Sequence, residues 1–233
     1  MQLVLILLVI AGGMGLSVEA GLLGPLGGKV GDLWATFSIF GVGAALTFLL
    51  MLFFSPRNSP SFFAQPGWQL LGGVLGPVYV VILTLATPAI GIALTMIGIL
   101  AAINGQLGSR VGVFKSAFLT FSVGALVTAL LIFFFEPKQT VTLLDVPKWQ
   151  LLGAMFGVPY IVIMVVAVQR IGTAVATVAV IFGQLTMSML IDNFGWLGNA
   201  AIPFSMSRLA AVLCLGIALF FIYSGSKNAP PHE

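Results

Sequence analysis

Long apolar runs, broken by charged residues or by Pro and Gly, divide the chain into eight segments at about 2–22, 33–54, 68–87, 89–107, 115–135, 149–168, 171–191 and 208–224. Each is close to the roughly 17–25 residues that carry an α-helix across a bilayer core. The runs are continuously apolar and do not alternate at every second residue, which argues against transmembrane strands. The third and fourth segments meet at Pro88 with almost no loop. Proline removes a backbone donor and restricts the residue before it, so a tight turn is expected there, with one kinked segment as the alternative. The first segment ends in small residues but lacks a positively charged start, and similar segments follow it, so it reads as a retained span and not as a cleaved leader. The Gly-rich run at 21–28 lacks the Lys-Ser/Thr of a phosphate loop and is expected to be a flexible turn. Beyond Tyr223 the chain ends in a short polar tail.

A shift of 81 residues superposes the first third of the chain on its middle. Gly24, Leu26, Gly27, Val30 and Gly31 recur as Gly105, Leu107, Gly108, Val111 and Gly112; Phe37, Phe40, Gly43, Ala44 and Thr47 recur as Phe118, Phe121, Gly124, Ala125 and Thr128. WQLLGGVLGPVY at 68–79 returns as WQLLGAMFGVPY at 149–160. Apolar bias alone does not place Trp, Gln, Gly and Tyr in one register, so a duplication is inferred. The repeat unit holds three crossings, an odd number, so its two copies are expected to face opposite ways in the membrane. Inverted repeats of this kind recur in secondary transporters, where one half rocks against the other around a central site.

Composition removes other classes. Hydrophobic residues make up 60% of the 233 positions and charged residues 6%, against about 25% charged in soluble domains. No water-facing surface can be built from that, so a soluble enzyme, a nucleic-acid binder and a disordered chain are excluded. The formal net charge is +3. With eight spans, Arg57, Arg110, Lys115, Arg170 and Lys227 share the side of both termini, while Lys29, Lys138, Lys148 and Arg208 lie opposite. That is a narrow vote for cytoplasmic termini. Cys214 and His232 are the only residues of their kinds, so no disulfide and no metal site are expected.

Few polar groups lie inside the spans. Glu19 sits in the first helix, and a carboxylate in a span is expensive enough to suggest proton coupling or cation binding, with an interfacial glutamate near Lys29 as the alternative. Tyr79 and Tyr160 occupy equivalent places roughly 16 Å into their helices, where a phenol can bond a carbonyl or a cargo. Thr173, Thr177, Gln184 and Ser188 are spaced by 4, 7 and 4 residues, which forms a polar stripe on the seventh helix. The stripe suits one wall of a solute path, or bonds to neighbouring helices. Asn104 and Gln106 end the fourth helix and, two residues apart, point to different faces. Gly72 and Gly76, with their copies Gly153 and Gly157, have the four-residue spacing that lets helices approach closely, and packing is their expected role. Asp192 is read as a boundary or turn residue, and Trp68 and Trp149 as headgroup-level anchors.

AAINGQLGSRVG at 101–112, FLTFSVGAL at 118–126, KWQLLGAMFGVPY at 148–160, IGTAVATVAVIFGQL at 171–185 and LIDNFGWLG at 190–198 resemble the small YdcZ-type branch of the drug/metabolite transporter (DMT) superfamily. The resemblance is fullest over 88–224, five helices, with Gln184, Asp192 and Gly195 at characteristic positions. It implies an integral membrane protein that moves small solutes or metabolites. Residues 1–87 resemble three helices of a second unit where fused members carry five, and Glu19 stands where family members usually have Gln. Glutamate in the first helix is also the coupling residue of small multidrug carriers in the wider superfamily, although the local motif differs.

The expectation is therefore an all-α membrane bundle of about eight helices with inverted three-helix repeats, divided into a partial repeat over 1–87 and a five-helix unit over 88–233. It would transport a small organic solute across the bacterial inner membrane by alternating access, with proton coupling as an option, through a cavity formed by Glu19, Tyr79, Tyr160, Thr177 and Gln184. Asn104, Gln106, Thr173 and Ser188 are further polar candidates. No catalytic activity, cofactor or nucleic-acid partner is expected. Membrane lipid is the surrounding solvent, and both a monomer and a homodimer paired through glycine faces suit this size. The competing reading is a membrane scaffold or partner subunit, which requires the polar stripe to be fully occupied by interhelical bonds and no cavity to reach the midplane.

Overall fold

The structure is a computed structural model that describes residues 2–55, 58, 60–71, 103–136 and 140–228. Its elements are α1 (Gln2–Val30), α2 (Asp32–Phe54), a helical stretch α3 over 103–111, α4 (Val113–Phe135), α5 (Ala154–Ile171), α6 (Thr173–Phe194) and α7 (Met206–Asn228). Short 3₁₀ segments, Gly67–Leu71 and Lys148–Gly153, carry the two Trp-Gln pairs. Six helices among the described residues are long and apolar enough to cross a membrane, so the chain is an all-α polytopic membrane bundle. Of the expected third and fourth segments, only 68–71 and 103–107 fall within the described residues.

One expectation is overturned at the end of the first span. The run at 21–28 is not a turn but the last part of α1, which continues to Val30 with Pro25 inside it. Proline deprives the carbonyl one turn earlier, that of Gly21, of its helical donor. Asn199 Nδ2 replaces that donor at 2.8 Å, so the helix passes the proline without an orphaned acceptor. The turn comes at Gly31 instead, whose φ of 92° is open to glycine and strained for other residues.

Contacts fix the helix directions. Gly13, Ser17 and Gly21 of α1 meet Val180, Gln184 and Ile191 of α6 in ascending order, so α1 and α6 run parallel. Gly12 meets Tyr160 and Glu19 meets Gly157, so α1 and α5 run antiparallel. Gly13 lies directly on the Val180 carbonyl and Gly183 on that of Ile10, leaving no room for a side chain at either position. Such close backbone approach holds helices together where lipid supplies no hydrophobic drive.

The α2–α4 contact is reciprocal. Phe121 fills the space over Gly43, and Phe40 fills the space over Gly124; the two rings lie 6.1 Å apart. These four residues are two pairs of repeat equivalents, which is the contact pattern of a two-fold axis. Phe48 stacks near Phe118 and Phe54 near Phe114, so the equivalent helices are antiparallel. Local details repeat as well. Gly112 has φ 97° against 92° at Gly31. Thr47 and Thr128 each donate to the carbonyl four residues back, at 2.7 and 2.8 Å. Ser61 and Thr142 each accept from the backbone N–H two residues on, at 3.4 and 3.3 Å. Asp145 accepts from Thr142 N and Oγ1 at 2.9 and 2.7 Å, and these bonds hold its carboxyl below its ordinary range.

Candidate functional site

α1 is the central helix of the site, because it carries two different seams. Gly13, Ser17 and Gly21, at four-residue spacing, face α6, whereas Gly12 and Glu19, seven apart, face α5. Glu19 is 7% exposed. Its carboxylate rests against Gly157, its Cγ side faces Gly153, and Ile39 of α2 closes the Gly153 position from the other side. A side chain at residue 157 would occupy the place of the carboxylate, 3.1 Å from its carbon and 3.3 Å from Oε1. The Gly153/Gly157 pair therefore forms a cradle for Glu19 in addition to any helix packing. Oε2 of Glu19 has no hydrogen-bond partner among the described residues. A buried carboxylate oxygen left without a partner is costly, and a proton, a cation or a polar cargo group removes that cost.

Tyr160 lies on the same seam, packed on Gly12 and buried to 8% exposure within an apolar cluster of α1, α5 and α6 that includes Val9, Met164, Ala176 and Val180. Tyr79, Gly72 and Gly76 lie outside the described residues. Of the polar stripe, Thr177 has a buried Oγ1 with no hydrogen-bond partner among the described residues. Gln184 meets α1 through its backbone carbonyl, which accepts from Ser17 Oγ at 2.7 Å. Ser188 lines a cavity of about 210 Å³ with Ser17, Ala20, Gly21, Ile191, Asp192 and Asn199; Glu19 is not part of its lining. Thr173 opens α6 at half-buried exposure. The predicted cavity residues thus divide between the two seams: Glu19 and Tyr160 on the α5 side, and Gln184 and Ser188 along the α6 side.

Asn104 and Gln106 do point apart. Asn104 is buried and bonds α4, its carbonyl accepting from Ser116 Oγ and its Oδ1 from Thr120 Oγ1, both at 3.1 Å. Gln106 is exposed and accepts from Gln69 Nε2 at 3.4 Å. Gln69 and Gln150, repeat equivalents, were not singled out in the sequence, yet they are 0% and 4% exposed. Gln150 accepts from Lys29 Nζ at 3.3 Å. Gln69 thus joins the end of α3 before α4, and Gln150 joins the end of α1 before α2, so the two glutamines sit at opposite ends of the antiparallel α2–α4 pair. A glutamine following the Trp in both copies was the available signal. Asn199 was also missed; the signal there was Pro25, whose orphaned carbonyl demanded a donor. Asp192 closes α6, with Arg208 Nη1 at 2.6 Å from Oδ2 and Ile202 N at 2.8 Å from its carbonyl.

The family model described as "Putative inner membrane exporter, YdcZ" matches the chain twice, over residues 4–102 and 96–221. The chain belongs to this family. It is accordingly a multi-pass protein of the bacterial inner membrane and a transporter-type member of the DMT superfamily. The double match extends the YdcZ likeness from 88–224 to the amino-terminal part of the chain. No curated protein and no solved structure matches. Among the described residues there is no group of three or more His, Cys, Asp or Glu side chains that could hold a metal ion. Among the described residues of this YdcZ-family chain, the polar side chains along the two α1 seams are hydroxyls, amides, a phenol and the carboxylates of Glu19 and Asp192.

Proposed function

We propose that the chain carries a small organic solute across the inner membrane by alternating access between inverted three-helix repeats, with Glu19 binding a proton or the cargo's polar group. The observation that carries this reading is Oε2 of Glu19, which has no hydrogen-bond partner among the described residues, in its glycine cradle. A scaffold would gain nothing from an unsatisfied carboxylate in lipid, and its polar stripe would be fully bonded, whereas Thr177 Oγ1 has no hydrogen-bond partner among the described residues. The reciprocal Gly43–Phe121 and Phe40–Gly124 contacts support the inverted arrangement. If antiparallel equivalent helices both span the bilayer, the axis relating them lies in its plane. The division at 87/88 into a partial repeat and a five-helix unit is part of the same proposal. Cargo would pass along α1, with Tyr160 and Glu19 on one side and Thr177, Gln184 and Ser188 on the other.

Reconstituted proteoliposomes with an entrapped pH dye and a panel of labelled metabolites provide the test. A solute that moves with a proton signal, lost in Glu19→Gln and reduced in Gln184→Ala, is the expected result. Transport of a solute with an unchanged proton signal in Glu19→Gln would remove the coupling role, and the absence of flux across the panel in wild type would remove the transport reading.

A further inference from the structure

At the amino-terminal end of the bundle, the α1–α5 seam opens into a groove of about 340 Å³ between Gln2, Val4, Leu5 and Leu8 of α1 and Val166 and Arg170 of α5. Its volume is that of a ligand site, ~300–1,000 Å³. The walls are aliphatic and open to the lipid, with Val4 60% and Leu8 47% exposed. The polar groups lie at the rim: Arg170 in the last turn of α5 and Gln2 in the first turn of α1. Arg170 is exposed and makes no ion pair among the described residues. A guanidinium above an apolar cleft at the level of a helix end matches one kind of molecule, with an anionic phosphate on the surface and a hydrocarbon chain below it.

Charge at the two ends of the bundle supports the same occupant. The helix directions place Arg110 and Lys115, at the α3–α4 junction, at the same end as Arg170. The described acidic residues other than Glu19, namely Asp32, Glu136, Asp145 and Asp192, all fall at the other end. The groove therefore opens on the basic face of the protein, the face that an anionic leaflet attracts. Leu5, Gly12 and Glu19 are spaced by seven, so the groove is the outer end of the seam that buries the carboxylate.

We propose that this groove is a specific site for an anionic glycerophospholipid, its phosphate held by Arg170 and Gln2 and one acyl chain lying over Leu5, Leu8 and Val166. The inference does not depend on transport and holds for a scaffold equally. Native mass spectrometry of the full chain in detergent, with phosphatidylglycerol and phosphatidylcholine of identical acyl chains, is the test. Wild type should retain phosphatidylglycerol about fivefold over phosphatidylcholine, the ratio that one basic contact gives. Arg170→Gln should equalise the two lipids. Leu8→Trp, which fills the groove, should lower retention of both with Arg170 intact; Val4→Trp, at a more exposed position, serves if Leu8→Trp does not fold. Equal retention by wild type, a preference that survives Arg170→Gln, undiminished binding in both tryptophan variants, or displacement of the lipid by glycerol phosphate alone would each overturn the site. The last result would mean that only the anion is recognised.

Discussion

Gly157→Ala tests the cradle around Glu19 directly. The added methyl would fall 3.1 Å from the Glu19 carboxyl carbon, 3.3 Å from Oε1 and closer still to Oε2. All three atoms belong to the far end of one side chain, so the backbones of α1 and α5 need not separate. Overpacking generally costs about 1–3 kcal/mol, and here the lower end is expected, about 1 kcal/mol, or a fall of about 2–4 °C in Tm. The carboxylate must move by about 1 Å, and a displacement of that size at a reacting group can lower a rate by about a hundredfold; transport should fall by at least about tenfold. The two shorter or neutral replacements separate sterics from charge. Glu19→Asp withdraws the carboxylate by one methylene and should restore the stability lost in Gly157→Ala, giving a coupling energy of about 1 kcal/mol in a double-mutant cycle. Glu19→Gln keeps the length and should not restore it. Thermal unfolding in detergent measures the cycle and proteoliposome flux measures the function. If Gly157→Ala unfolds and transports as wild type does, or if its effect adds to that of Glu19→Asp within about 0.5 kcal/mol, the glycine does not shape the carboxylate's site.

Two further outcomes follow from packing. Gly43→Ala and Gly124→Ala place a methyl inside the rings of Phe121 and Phe40; each should cost about 1–3 kcal/mol, and the two losses should match, since a difference above about 1 kcal/mol in thermal unfolding would contradict the reciprocity. Asn199→Ala leaves the Gly21 carbonyl without its donor and should cost about 1 kcal/mol, whereas adding Pro25→Ala returns a backbone N–H to that carbonyl and should recover most of the loss in the same measurement.

The pattern of apolar runs was enough to read the six spanning helices among the described residues, because a spanning segment in lipid must satisfy its own backbone and therefore shows itself as length and composition. The turn expected at 21–28 shows where local reading stops. Gly24, Pro25, Gly27 and Gly28 argue for a break, and what keeps the helix going is a donor 178 residues away in sequence. The same limit applies to the site. That Glu19 was costly in a span was legible; that Gly157 would receive it was not, because spacing alone gives a glycine pair no partner. The polar stripe was legible as a face of α6, but its relation to Glu19 depends on α1 lying between the two seams, which only packing decides. Buried Gln69 and Gln150 escaped notice beside tryptophans whose amphipathic character explains the position so readily.

The repeat and the candidate site share only some of their residues. Positions identical in both copies, such as Phe40 and Phe121, Gly43 and Gly124, Thr47 and Thr128, or Gln69 and Gln150, make the contacts between helices. Tyr160 and the cradle glycines Gly153 and Gly157 have counterparts in Tyr79, Gly72 and Gly76, but Glu19 does not: the 81-residue shift carries Glu19 to Leu100, and Pro25 to Gln106. Under the proposed mechanism this difference has a direct consequence. Two fully equivalent halves would give inward- and outward-facing forms of equal energy and two copies of every binding group. One Glu19, clasped by the half that contains Gly157, leaves a single titrating position, and the Asn199–Gly21 and Arg208–Asp192 contacts act at only one end of the bundle. Each is modest; an exposed pair such as Arg208–Asp192 is worth ~0–1 kcal/mol. A bias of that size still shifts a balanced two-state equilibrium about fivefold per kcal/mol, so these few asymmetric contacts are sufficient to set which face of a symmetric frame rests open.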